Sequence, residues 1–277
     1  MIKKWFITGV SSGLGRALAI AALGAGDCVA GSVRHEGARD EFNALHPDRA
    51  QAFIMDVADF DAVTRNIQQA DEASGGIDVL VNNAGVSLEG TLEETGWAEI
   101  YEQFRVNVFG PVAVMKAVLP AMRARRRGLI VNVTSLAGYA TGGGTGFYGG
   151  AKLALEGVSK SLAKECAPFG IEVMTVIPGA FRTDLGSNRR SARDSIADYA
   201  AQNAARRARL AALSGHQRGD PARAAQAIVM AVNTAPPPRR LVLGVDAADS
   251  VAADLMAFGE EMRQWESVSR ATDFLQN

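Results

Sequence analysis

Cysteine is nearly absent: Cys28 and Cys166 are the two thiols in 277 residues, far apart and without a CxxC pair. That excludes a disulfide framework and a thiolate metal centre, and it points to a reducing compartment. Histidine is as scarce, and His35, His46 and His216 lack the spacing of metal ligands. The formal net charge is −1, so no general field draws the chain to nucleic acid or to an anionic membrane. No apolar run reaches the roughly 20 residues of a membrane helix. The opening MIKKWFITG carries too few apolar residues for a secretion signal. A soluble cytoplasmic protein is expected, with no metal, nucleic-acid or membrane partner. What is present is ordinary, 48% hydrophobic and 21% charged, enough to build a sizeable core.

Glycine is plentiful and unevenly placed. The stretch TGGGTGFYGGAK, Thr141 to Lys152, holds six glycines in twelve residues and ends on lysine. A P-loop needs G-x-x-x-x-G-K-[ST], but Ala151 precedes this lysine and Leu153 follows it, so no nucleotide triphosphate is implied. The wider pattern supplies the context. Short apolar runs (WFI, CVAGSV, AFIM, DVLV, GLIVNV, IEVMTVI, RRLVLG) alternate with helical segments such as LGRALAIAALGAG and KLALEGVSKSLAKEC. Such alternation predicts a parallel sheet with right-handed crossovers, and unbroken apolar strands predict cover on both faces. The expected fold class is α/β, a doubly wound Rossmann fold. Its sheet is seven-stranded and mostly parallel, with helices on both faces and a C-terminal helical extension. Without a linker or repeat, residues 1–277 read as one domain.

The first strand runs into TGVSSGLG, Thr8 to Gly15. Gly9, Gly13 and Gly15 let the backbone turn tightly and approach a pyrophosphate at a helix N-terminus. Ser11 and Ser12 add hydroxyl donors, and Leu14 completes the cofactor-binding turn. About 20 residues beyond the last glycine, such folds place the residue that meets the adenosine ribose. Here the strand ends Ser32-Val33-Arg34, with no acid before Glu36. A carboxylate would repel a 2′-phosphate, whereas a guanidinium stacks on adenine and forks onto the phosphate. NADP(H) is therefore expected over NAD(H), through Arg34.

Tyr148 and Lys152 lie four apart at the start of a helix, which puts their Cβ atoms about 5–6 Å apart on one face. Ser135 ends the preceding strand, in NVTSLAG. Together the three form a proton-transfer site above the carboxyl ends of parallel strands. A free tyrosine titrates near pH 10, too high for a base at neutrality. An ammonium about 4 Å away, at an effective dielectric near 20, supplies roughly 4 kcal/mol, or about three pKa units. Ser135 would orient the substrate oxygen, and Lys152 would also hold the nicotinamide ribose.

In order, TGxxxGxG, the NNAG of Asn82 to Gly85, Asn107 in VNVFG, Ser135, YxxxK at Tyr148 and PGxxxT from Pro178 to Thr183 resemble the short-chain dehydrogenase/reductase family. The resemblance covers about Ile2 to Leu243. Around KLALEGVSKSLAKECAPFGIEV and PGAFRT it is similar to 17β-hydroxysteroid and retinol dehydrogenase-like members. It implies that Asn83, Ala84 and Gly85 contact the cofactor and that Asp56 and Val57 flank the adenine. Pro178, Gly179 and Thr183 would embrace the nicotinamide end, and Asn107 would hold a water in a proton relay from Lys152. The implied function is NADP(H)-dependent interconversion of a hydrophobic ketone or aldehyde with its alcohol, Tyr148 acting as general acid and base. An NAD-linked secondary-alcohol dehydrogenase working oxidatively and a non-catalytic cofactor sensor are the alternatives. The family also implies a homodimer or homotetramer, paired through segments matching Asn107–Met122 and Gly149–Ala167.

Four features stand outside that frame. Gly149 and Gly150 replace the usual small side chains between tyrosine and lysine, which suggests close packing there. RARRRG, Arg123 to Gly128, reads as a helix end where cations complement the dipole. The arginine-rich stretch from Arg189 to Arg209 falls in the expected substrate-binding loop, 181–220, and is either a solvated helix or a guide for an acidic substrate. In the 246–277 extension, Val251, Leu255, Phe258, Met262 and Trp265 form one helical stripe, expected to dock near the substrate loop or on another subunit.

Overall fold

The apolar runs form the strands of a parallel sheet, and the helical segments cross over between them. In this computed structural model, which describes residues 2–183 and 190–274, the order is β1 (Lys4–Ile7), α1 (Gly13–Gly24), β2 (Cys28–Val33), α2 (Glu36–Asn43), β3 (Ala50–Ile54) and α3 (Phe60–Ser74). Then follow β4 (Val79–Asn82), the short β5 (Leu88–Glu89), α4 (Trp97–Phe104), α5 (Gly110–Arg125), β6 (Gly128–Val133), α6 (Gly146–Cys166) and β7 (Ile171–Pro178). The last elements are the short β8 (Arg190–Ser191), α7 (Ala200–Leu213), α8 (Pro221–Val232), β9 (Arg240–Leu243), α9 (Val245–Gln264) and α10 (Glu266–Arg270). The main sheet has seven strands in the order β3-β2-β1-β4-β6-β7-β9, all neighbours parallel. The strand order reverses between β1 and β4, and it is beside this switch that open α/β sheets bind their ligands.

Alternation along the strands divides the core in two. Trp5 and Ile7 of β1 face a cluster with Leu18, Ala22, Phe42 and Ile228, so α1, α2 and α8 cover one side. Phe6, between them, faces Val63, Ile67, Val118 and Leu155, so α3, α5 and α6 cover the other. The sheet is thus buried on both faces, as its unbroken apolar runs require. Arg125, from the basic run, closes α5 by pairing with Asp71 at 2.9 Å, and Arg126 stacks over Phe169. That run is structural.

Two expectations need correcting. The unbroken helical stretch Trp97–Arg125 is 29 residues long, and an 18-residue window of it, with a mean hydropathy of 1.2, is apolar enough to cross a membrane by length and composition. No single apolar run had signalled it. Its Val114, Met115, Val118 and Met122 are buried against the sheet. The second correction concerns α9. Ala247 and Val251 are buried, but the stripe beyond them does not dock near the substrate loop among the described residues: Leu255, Phe258, Met262 and Trp265 are 53–63% exposed, which leaves another subunit as the surface to cover them. Periodicity identified the apolar face without saying what covers it. Residues 275–277 of the extension and 184–189 of the substrate loop, Arg189 among them, lie outside the described residues.

Two truncations should therefore differ. Ending the chain after Ala253 removes no side chain buried in the described residues, so stability of the dilute protein should change by no more than about 0.5 kcal/mol. Ending it after Gly244 also removes Ala247 and Val251 and should cost about 2 kcal/mol or more. Thermal denaturation at low protein concentration separates them, and equal losses would show that the stripe is packed in solution.

Candidate active site

The turn after β1 is built on close backbone approach. A Cβ on Gly15 would stand 2.2 Å from the Gly9 carbonyl oxygen and 2.3 Å from Asn83 Nδ2, so only glycine fits. Gly9 and Gly13 adopt φ of +73° and +58°, a region that glycine enters without strain. The β4 end braces this turn. Asn83 donates to the carbonyls of Thr8 (2.9 Å) and Gly9 (3.1 Å), while the Asn83 and Ala84 amides donate to Thr8 Oγ1 at 2.9 Å. Ser12, the N-cap of α1, makes no side-chain cap and the first turn carries no acid, so the helix end keeps its donors for an anion. Ser11 and Ser12 are exposed beside it, and Leu14 is half-buried against the core. The turn fits a dinucleotide pyrophosphate.

Arg34 emerges at the end of β2, exposed and without an ion pair among the described residues. Asp56 is exposed beyond β3, accepting from the Ala58 amide at 2.9 Å. Val57 is turned inward, against Gly110 at the start of α5, so only its backbone is offered to a ligand. Beyond β7, the loop from Pro178 returns to the glycine turn: a Cβ on Gly13 would lie 3.4 Å from Thr183 Cβ. Asp246 holds this loop. Its carboxylate accepts from the Ala180 amide at 2.7 Å, and it fills the space where side chains on Gly179 and Gly244 would stand.

Ser135 stands at the turn after β6, and α6, which carries Tyr148 and Lys152, packs against that turn. Ser135 Oγ caps a short 3-10 turn, Leu136–Gly138, accepting from the Ala137 amide at 3.1 Å. Tyr148 is half-buried in the first turn of α6. Lys152 is 5% exposed; its Nζ donates to the Val133 carbonyl at 2.9 Å and lies 6.0 Å from the Tyr148 ring centre. Burial brings its pKa down to about 8, which leaves the group mainly cationic at pH 7. A Cβ on Gly85 would lie 2.7 Å from Asn107 Oδ1 and 3.5 Å from Lys152 Nζ, so NNAG, Asn107 and the lysine meet at one point. Asn107 itself is fully buried in a π turn, Arg105–Phe109, between α4 and α5. Its side-chain amide donates to the carbonyls of Val86 and Gln103, both at 2.9 Å, which locks the β4 end to that turn. Sequence reading found Asn107 but not the π turn, a feature frequent at functional sites.

The two glycines inside YxxxK turn out to differ. A Cβ on Gly149 would stand 2.4 Å from the Ala137 carbonyl oxygen, so the Ser135 turn and α6 touch through bare backbone. A Cβ on Gly150 would meet nothing nearer than Phe104 at 3.9 Å. Sequence reasoning also missed what holds α7. Glu94, 3% exposed, accepts from Asn203 Nδ2 at 2.8 Å, from Thr91 Oγ1 at 2.7 Å and from the Ile196 amide at 3.1 Å. These donors hold its carboxyl down at about 2. Tyr199 donates to Glu93 alongside.

Comparison with known proteins agrees with this geometry. A family model described as short chain dehydrogenase matches residues 3–194. Oxidoreductase BOA17 of Botryotinia fuckeliana is 34% identical over 98% of this chain and 100% of its own. The crystal structure of a short-chain dehydrogenase from Streptomyces avermitilis is 42% identical, covers 98% of this chain and 100% of that one, and superposes with a TM-score of 0.89. An NADPH-dependent 3-dehydrocapnine reductase from Ornithobacterium rhinotracheale is 31% identical over 67% of this chain and 68% of its own.

The unequal glycines give a test of the Ser135–α6 contact. Gly150→Ala should raise stability by about 0.4–1 kcal/mol through helix propensity and leave activity intact. Gly149→Ala should destabilise by about 1–3 kcal/mol and lower kcat, because the helix must retreat from Ala137. Thermal melts and turnover of both variants check it; similar behaviour would remove Gly149 as a spacer.

Proposed function

We propose, for a chain that belongs to the short-chain dehydrogenase family and is an NAD(P)-dependent oxidoreductase, that it reduces a largely apolar ketone or aldehyde with NADPH. The observation that carries this reading is the close packing of the Ser135 turn on the helix that carries half-buried Tyr148 and the buried ammonium of Lys152, together with the glycine turn after β1. Bound NADPH supplies the hydride. Tyr148 gives its phenolic proton to the carbonyl oxygen as negative charge develops there. Ser135 donates to the same oxygen and fixes its direction. Lys152 keeps the tyrosine acidic through its charge and holds the nicotinamide ribose, and Asn107 supports a water that returns the proton to Tyr148 through Lys152. Gly9 to Gly15 hold the pyrophosphate, Asn83 to Gly85 and Thr183 enclose the cofactor, and Asp56 and Val57 border its adenine.

NADPH is favoured because Arg34 stands where an acid would exclude a 2′-phosphate, and a relative described as NADPH-dependent supports the reductive direction. A homodimer or homotetramer is proposed through α4, α5 and α6, where Trp97, Tyr101, Phe109 and Leu153 are 49–73% exposed. Such a row of large apolar side chains is costly to leave in water. Light scattering should give at least twice the mass of the chain.

Tyr148→Phe should lower kcat by about 10²–10⁴-fold while NADPH affinity, read by calorimetry, changes little. A variant keeping a tenth of wild-type turnover would require another acid. Arg34→Asp should weaken NADPH binding by about 1.5–3 kcal/mol and leave NADH binding nearly unchanged. Equal affinities of the wild-type protein for both cofactors would overturn the NADP assignment.

A further inference from the structure

The glycine-rich loop and the arginine-rich helix, unrelated in the sequence, meet in space. A cavity of about 390 Å³ is lined by Thr91, Gly143, Gly144, Gln202, Ala205, Arg206 and Arg209. Its three walls are the segment after β5, the loop four residues ahead of Tyr148, and α7. All three rise from the carboxyl edge of the sheet, the edge that carries Ser135 and Tyr148. The Gly144 carbonyl accepts from the Gly90 amide at 2.9 Å, which ties two of the walls together.

Arg206 is built into this cavity. A Cβ on Gly144 would stand 1.6 Å from Arg206 Nη1, and Gly144 has φ of +80°, so the guanidinium occupies room that only glycine leaves. Its Nε is buried with no acceptor, and among the described residues neither Arg206 nor Arg209 has an ion pair or hydrogen bond. The nearby carboxylate of Glu94 is committed to Thr91, Asn203 and Ile196. That commitment pins α7 one turn before Arg206 and leaves the arginine unneutralised. A planar donor fork with a buried, unmet N–H suits a carboxylate or a similar oxyanion.

We propose that this cavity is the subsite for an anionic group carried on the substrate, with Arg206 as the residue that selects it and Arg209 as an outer, solvated cation. The inference rests on the carbonyl-reductase reading, since it assigns the far end of the molecule whose carbonyl meets Tyr148. The substrate class is then an apolar carbonyl compound ending in a carboxylate or comparable anion.

The test uses oxo-carboxylic acids of increasing chain length, each paired with its methyl ester, reduced with NADPH. At the length that spans the cavity, kcat/KM for the acid should exceed that for the ester by about ten- to a hundredfold, the worth of a charge-assisted hydrogen bond. Arg206→Gln should bring that ratio to near one, and Arg209→Gln should reduce it by a few-fold at most. Arg207→Gln, on the same helix but outside the cavity, should leave it unchanged. Gly144→Ala, which displaces the guanidinium, should reproduce the Arg206→Gln result. A ratio near one at every length in the wild type, or an equal loss in the Arg207 variant, would overturn the proposal. Calorimetric binding of the same acids to wild type and Arg206→Gln reads the subsite without turnover. Selective binding with no reduction of acid or ester would retain the subsite and reject the carbonyl-reductase reading. Reduction without acid selectivity would do the opposite.

Discussion

The structure depends on keeping one ammonium charged where water is scarce. Lys152 Nζ is almost fully buried, it donates to the Val133 carbonyl, and burial brings its pKa down to about 8. An isolated buried cation costs several kcal/mol unless polar groups replace its hydration. The chain supplies them by thinning its own side chains. Gly85 leaves room beside both Asn107 and the ammonium, where a Cβ would stand 2.7 Å from Asn107 Oδ1 and 3.5 Å from Lys152 Nζ. Gly149 lets α6 settle directly on the Ser135 turn. The absence of Cβ atoms at the carboxyl edge is thus the way polar backbone is brought close to a charge.

Beneath the lysine lies a second polar layer with the same purpose. Asn82 donates to Asn132 at 2.8 Å, Asn132 donates to Ser159 at 2.8 Å, and Ser159 donates to the Leu155 carbonyl. The Thr134 hydroxyl donates to the Glu156 carboxylate at 2.8 Å, with the Val176 carbonyl 3.0 Å away as its alternative acceptor, and Arg240 stands 3.7 Å from the same buried carboxylate. These bonds join β4, β6, β7 and β9 to the helix that carries Tyr148 and Lys152. A hydrophobic contact would hold α6 on the sheet at many rotations, whereas directed hydrogen bonds admit few. Ser135 and Val133, on either side of Thr134, inherit that definition.

Much of this was legible in the residue order. All seven strands of the main sheet follow apolar runs, because a strand buried on both faces needs no polar alternation to mark it. The glycine turn and the Tyr148–Lys152 spacing were also readable, since each depends on neighbours within a few positions. What escaped depends on distant partners. The π turn at Asn107 is tied to Val86, 21 positions away, and α7 is seated by Glu94, 109 positions from Asn203. Local pattern marked the first as part of a mixed stretch and the second as a loose run of arginine and alanine. Neither partner is announced by composition.

The C-terminal extension joins the two halves of this account. Asp246, in the first turn of α9, uses its carboxylate on the loop after β7, and Gly179 and Gly244 make room for it. The base of α9 is therefore tied to the loop after β7, while its outer half shows Leu255, Phe258, Met262 and Trp265 to solvent. A helix anchored at one end and bare along the rest transmits to its anchor whatever force it meets outside. Besides the Asp246–Ala180 bond, α9 packs on the Leu136–Gly138 turn that Ser135 caps, so the extension is joined both to the loop after β7 and to the turn that carries Ser135.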